Sequence, residues 1–109
     1  MNIYDIELSN RQHGQHFFDA DTKRFFSSRI GQEVYEGPGG IYFTTSERFY
    51  PSEGAPSARG YTVRKFDPAT GKVDTMGEFQ AYASSGGARM AAARLAYQSN
   101  GSSNRKRKI

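Results

Sequence analysis

Apolar residues follow two periods in the last third of the chain. Residues 61–66 (Tyr-Thr-Val-Arg-Lys-Phe) and the run 73–82 read as extended, while 88–97 carries a helical repeat. Between the extended runs lies Asp67-Pro68-Ala69-Thr70-Gly71-Lys72. Pro68 presets φ for a type I turn, and Gly71 supplies the left-handed residue that closes a hairpin with a bulge. Val73, Thr75, Gly77 and Phe79 share one face of the second strand. The helix that follows has a stripe of Ala88, Ala91, Ala92, Leu95 and Ala96, spaced i, i+3, i+4, i+7, i+8. So many alanines imply close approach of helix to sheet. Ser84-Ser85-Gly86-Gly87 caps its start, and Arg89 and Arg94 face water.

Upstream, residues 41–46 (Ile-Tyr-Phe-Thr-Thr-Ser) have the strongest strand composition, with Ile41, Phe43 and Thr45 opposite Tyr42, Thr44 and Ser46. Gly37-Pro38-Gly39-Gly40 is a breaker before them. Residues 49–60, with Pro51, Gly54 and Pro56, read as a long mobile loop. The first eight residues alternate imperfectly at Ile3, Ile6 and Leu8, which suits a short edge strand or a frayed start, and 9–15 reads as loop. Asp19 or Asp21 can cap a short helix running to Ile30, with Phe18, Phe25, Phe26 and Ile30 on one face. A hairpin of Phe17-Phe18 against Phe25-Phe26 is the rival reading. The expected fold is therefore α+β: a small antiparallel sheet of three to four strands, packed by a C-terminal alanine-rich helix, with a short N-terminal helix. The expected picture has no reactive pocket between ribbon and helix.

Composition narrows the class. At 109 residues the chain holds one domain, expected over 1–98, with a disordered basic tail over 99–109. Eight Phe and seven Tyr supply much of a thin core, because only 36% of residues are hydrophobic. The absence of cysteine excludes disulfides and thiolate metal sites. No apolar run approaches the ~18 residues of a membrane span. The first residues lack the basic start and apolar stretch of a signal peptide. The expectation is a cytoplasmic protein. Net charge is +4, but four basic residues form the run Arg105-Lys106-Arg107-Lys108, without which eleven basic residues balance eleven acidic ones. A case for polyanion binding thus leans on the tail.

Candidate chemistry is sparse. His13 and His16 stand three apart, but Gly14 separates them and the segment reads as solvated loop, so no metal site is expected. No Gly-x-Ser-x-Gly is present, the carboxylates are scattered singly, and no catalytic residue is assigned. The glycines at 37–40 precede a strand, which makes a poor phosphate cradle. Gly86-Gly87 do open a helix, with Arg89 beside them. The hairpin carries Arg64, Lys65 and Lys72, with Tyr42, Tyr61 and Tyr82 as candidate exposed aromatics. Cations interleaved with rings on a sheet can hold single strands by phosphate pairing and stacking.

The segments 17–29, 40–47, 61–66 and 77–82 resemble blocks of small uncharacterised proteins carried by bacteriophages and other mobile elements. The likeness runs over about 16–97 and implies no activity, cofactor or catalytic residue. The order of elements is also similar to that of double-stranded-RNA-binding domains. Those place a Lys-rich start on the last helix and a His in a first strand loop. Here residues 84–89 hold one basic residue and 37–40 hold no His, which argues against duplex RNA. The expected function is that of a small non-enzymatic accessory protein contacting nucleic acid. Arg64, Lys65, Arg89, Arg105, Lys106, Arg107 and Lys108 would carry the phosphate contacts. The alternative is an inhibitor or modulator docking on a host protein, through an exposed strand edge (41–46, or the 61–66 hairpin) or an apolar patch.

Overall fold

A computed structural model describes residues 1–19, 29–48 and 58–98. Along the chain these form helix α1 (Ile3–Gln12), strands β1 (Arg29–Ile30), β2 (Tyr35–Gly37), β3 (Gly40–Glu47), β4 (Gly60–Phe66) and β5 (Val73–Met76), and helix α2 (Ser85–Tyr97). The strands make one antiparallel sheet. β3 pairs with β4 along one side and β4 with β5. β1 and β2 lie one after the other on the opposite side of β3, through Ile30↔Thr45 and Tyr35↔Tyr42. The fold is α+β as expected, with five strands.

The start of the chain departs from the expected strand or frayed end. Asn2 and Asp5 close a capping box: Asn2 Oδ1 accepts from the Asp5 amide at 3.0 Å, and Asp5 Oδ2 accepts from the Asn2 amide at 2.9 Å. Two otherwise unbonded amides are thereby satisfied, which fixes a helix where residue propensity is mediocre. Ile3, Ile6 and Asn10 then point inward, at i, i+3 and i+7. The expected helix or hairpin over 19–30 falls largely on residues outside those described; Arg29 and Ile30 are strand. The expected loop at 49–60 is likewise outside the description over 49–57, and Gly60 begins β4. The expected tail, 99–109, is also outside it.

Each face of the sheet is covered by a helix. On one face Ile41, Phe43 and Phe66 pack with Phe18 and with Ile3 and Ile6 of α1. On the other, Tyr42 and Val63 pack against Ala88, Ala91, Ala92 and Ala96 of α2, with Leu95 partly buried beside them. The alanine stripe does what its spacing predicts. β3 lies between both layers and is paired along both edges, with β4 on one and β1 and β2 on the other, so every residue from Ile41 to Glu47 is buried. This corrects the idea of 41–46 as a docking edge, and β4 is paired on both sides as well. The edge on that side is β5.

The β4–β5 turn forms as expected. Gly71 has φ +73°, its amide donates to the Asp67 carbonyl at 2.7 Å, and the Asp67 amide donates to the Lys72 carbonyl at 2.9 Å. The second strand is shorter than its sequence suggests. It stops at Met76, because Gly77 and Gln80 take positive φ, and pairing resumes only at a Tyr61↔Tyr82 bridge. The Gly37–Gly40 breaker serves packing: its Gly39 amide donates to the Ala96 carbonyl at 2.8 Å, near the C-terminus of α2. A Cβ at Gly39 would overlap the Leu95 carbonyl oxygen.

Candidate functional site

The expected phosphate contact Arg64 is committed internally. It sits on the α1 face of β4, opposite Thr75 of β5. Its Nε donates to Thr45 Oγ1 (2.9 Å), Nη1 to Thr75 Oγ1 (2.6 Å) and Nη2 to Glu47 Oε2 (3.0 Å). The Phe17 and Phe79 rings lie 5.3 and 5.7 Å from its guanidinium carbon. Glu47 is 3% exposed and also accepts from the Thr45 and Thr62 hydroxyls at 2.6 and 3.0 Å. The loop after β5 closes over this network: the Gln80 amide donates to Thr62 Oγ1 (2.9 Å), and Gln80 Nε2 donates to the Glu47 carbonyl (2.7 Å). A buried carboxylate is thus paired and hydrogen-bonded, as burial of charge demands. Arg64 as a solvent-facing cation is corrected by this geometry.

Lys65 points to the opposite face, its Nζ 5.8 Å from the Tyr42 ring centroid. Tyr42 is 3% exposed and donates from its hydroxyl to the Gly39 carbonyl at 2.9 Å. It is a core residue rather than a stacking platform. Tyr61 and Tyr82 are half-buried. Arg105 to Lys108 lie outside the described residues.

Arg89 stands in a different setting. A cleft of about 290 Å³ opens between the β1 end of the sheet and the first turn of α2. Arg29, Glu33, Thr44, Tyr61, Ser85 and Arg89 line it. The expected picture had no reactive pocket between ribbon and helix, and this polar-lined cleft lies where the two part. Ser84 caps α2, its Oγ accepting from the Gly87 amide at 3.1 Å, and the Ala88 amide donates to the Ser84 carbonyl. The Ser85 and Gly86 amides remain as the free donors of the helix start. Arg89 reaches Glu33 at 3.6 Å, with both side chains more than half exposed. Such a pair is weak and exchangeable. Arg29 makes no hydrogen bond or ion pair among the described residues. The cleft therefore joins two arginines, a helix N-terminus and one carboxylate. Burial, followed by the neighbouring Glu33 carboxylate and its hydrogen bond, pushes the Tyr35 phenol above its ordinary pKa.

Sequence reading found Arg89 and the glycines that open its helix. It missed Arg29, included in the short helix expected to run to Ile30, and it gave Glu33 and Thr44 no role. Only tertiary pairing of β1 with β3 brings these together. His13 caps α1, its Nδ1 2.8 Å from the Ser9 carbonyl oxygen, and His16 pairs with Asp19 at 3.3 Å. Among the described residues no group of His, Asp and Glu is arranged to hold a metal, and no helix is long and apolar enough to cross a membrane.

Fold and cleft together define a small α+β protein whose sheet is covered on both faces and which sets two arginines, Arg29 and Arg89, at the start of its last helix. The chain belongs to a family of unknown function (DUF7447), which matches residues 2–93. No curated protein and no solved structure matches it.

Proposed function

We propose that this is a small non-enzymatic accessory protein that contacts nucleic-acid phosphates, of the kind carried by phages and other mobile elements. The supporting observation is the pairing of Arg29 and Arg89 across a cleft at the start of α2. Guanidinium groups and free helix amides are the usual donors to phosphate oxygens. Lys65 adds a cation at the far end of the same face. A Cβ at Gly40 would come within 3.1 Å of the Lys65 stem, and one at Gly39 within 2.9 Å of the Gln98 carbonyl. The end of α2 thus lies beside the Gly39–Gly40 turn that the Lys65 stem also reaches. The origin rests on the resemblance of the blocks at 17–29, 40–47, 61–66 and 77–82.

The test is fluorescence anisotropy with a labelled single-stranded oligonucleotide, using the full chain and Arg29→Ala/Arg89→Ala. Micromolar binding should weaken by at least an order of magnitude between about 50 and 200 mM salt if several phosphates are paired. The double variant should bind more weakly with a shallower salt slope. Salt-insensitive binding, or none, overturns the reading.

The second reading, a modulator that docks on a host protein, draws on the outer face of α1. Met1, Tyr4 and Leu8 are 51, 72 and 56% exposed there. A complex recovered from host lysate after nuclease treatment, and lost on Tyr4→Ser/Leu8→Ser, would favour it.

A further inference from the structure

The cleft holds a feature that a general phosphate contact does not require. Thr44 lies on the α2 face of β3, between Tyr42 and Ser46, and is 8% exposed. Its hydroxyl has no hydrogen-bond partner among the described residues, and it lines the floor of the cleft. By contrast, the neighbouring Ser46 hydroxyl accepts from Arg59 at 3.2 Å. Space beside Thr44 is kept by Gly31, whose amide donates to the Thr44 carbonyl at 2.8 Å. A Cβ there would stand 2.7 Å from Thr44 Oγ1. A donor at the floor, two guanidiniums at the walls and the free amide of Ser85 all serve an acceptor-rich group with several oxygens.

We propose that the cleft binds a terminal phosphomonoester at the end of a nucleic-acid strand. This inference rests on the nucleic-acid reading above and narrows it. Three arguments separate an end from an internal phosphate. The first is charge. Two arginines and a helix start worth roughly half a charge, less Glu33, leave an excess of about 1.5 positive charges. A phosphomonoester near neutral pH carries about −1.5 to −2, which matches that excess better than the single charge of a diester. The second is oxygen count. A monoester offers three free oxygens to this donor set, a diester two. The third is access. A diester is flanked by sugars on both sides, whereas the hydroxyl of a residue as little exposed as Thr44, at a cleft floor, is reached by a group that protrudes. The volume, about 290 Å³, lies at the bottom of the range of ligand pockets, which suits a phosphate with its sugar. Binding draws Arg89 off Glu33, so that carboxylate competes with the ligand.

The experiment uses the full chain and three labelled oligonucleotides of one sequence, ending in a 5′-phosphate, a 3′-phosphate or hydroxyls only. One phosphorylated end should bind about tenfold more tightly than the hydroxyl form, the worth of one or two charge-assisted hydrogen bonds. Thr44→Val keeps the shape and the β-branching, and should remove most of that preference while leaving the circular dichroism and unfolding midpoint in place. Arg89→Gln should lower the affinity for the phosphorylated strand. Glu33→Gln should raise it roughly threefold, the scale of an exposed ion pair. Equal affinity for all three strands, with salt-sensitive binding retained, overturns this inference and leaves the general reading standing. So does a preference that Thr44→Val does not change, since the phosphate then lies elsewhere. Failure of every strand to bind removes both.

Discussion

Glu47→Ala tests the structural role given to Arg64. Glu47 is 3% exposed, and the Arg64 side chain, at 12%, is held between two phenylalanine rings. Removing the carboxylate leaves that guanidinium buried with two hydroxyl acceptors and no counter-charge. It also removes the acceptor of the Thr45 and Thr62 hydroxyls. Breaking one side of a buried ion pair costs about 3–5 kcal/mol. Arg64→Met should cost a similar amount, because it strands Glu47 among threonines. The double variant Glu47→Ala/Arg64→Met leaves no buried charge, so its loss should be about 1–3 kcal/mol, the cost of hydroxyls left without an acceptor. The coupling between the two positions is then several kcal/mol, a large share of the ~5–15 kcal/mol that stabilises a domain of this size.

Urea unfolding followed by far-ultraviolet circular dichroism measures all four proteins. A double variant as unstable as the two single losses combined would refute the argument, since it would mean that the two side chains act independently. A Glu47→Ala loss below about 1 kcal/mol would refute it as well, by placing the pair in solvent-like surroundings.

Two further outcomes follow from the geometry. Gly39→Ala drives a methyl into the Leu95 carbonyl and should cost about 1–3 kcal/mol, the price of overpacking; an unchanged urea midpoint would show that the β2–β3 turn does not rest on α2. Tyr35 holds its proton more tightly folded than unfolded. Its contribution is therefore complete below the unfolded value near pH 10 and is lost as pH rises through the higher folded value. Wild type should lose stability above about pH 10 more steeply than Tyr35→Phe, and matching pH profiles would discard the burial and Glu33 effects as its cause.

The parts of the fold visible in the sequence are those set by local rules. Pro68 and Gly71 dictate a turn whatever surrounds them, and five apolar positions at helical spacing dictate the buried side of α2. The start of the chain was hidden because Ile3, Ile6 and Leu8 fit two periods. The capping box of Asn2 and Asp5 was the available signal, and it decides for the helix. The cleft was only half legible. Gly86, Gly87 and Arg89 announce a helix start with a cation, but Arg29 and Thr44 enter through pairing of β1 with β3, which depends on tertiary contacts. Arg64 was misread for the same reason: on a strand, a cation alternates outward by default, and only the buried Glu47 of the neighbouring strand explains why it turns in.

The two faces of the sheet show why a small cationic count need not mean a weak site. On the α1 face the charge is spent. Arg64 answers Glu47, and the threonines around them answer both, so little field escapes to solvent. On the α2 face the alanine stripe needs no polar partner, and the helix can lie close with its amide end open. Charges at that end are held by one exchangeable contact, Arg89 with Glu33. A ligand there displaces a single surface ion pair rather than a buried network, so most of its interaction energy survives as affinity. An anion seeking Arg64 would instead have to dismantle Glu47, Thr45 and Thr75 together. The same reasoning predicts where selection on function can act without unfolding the protein: at Arg29, Glu33, Thr44 and Arg89, and not at Arg64.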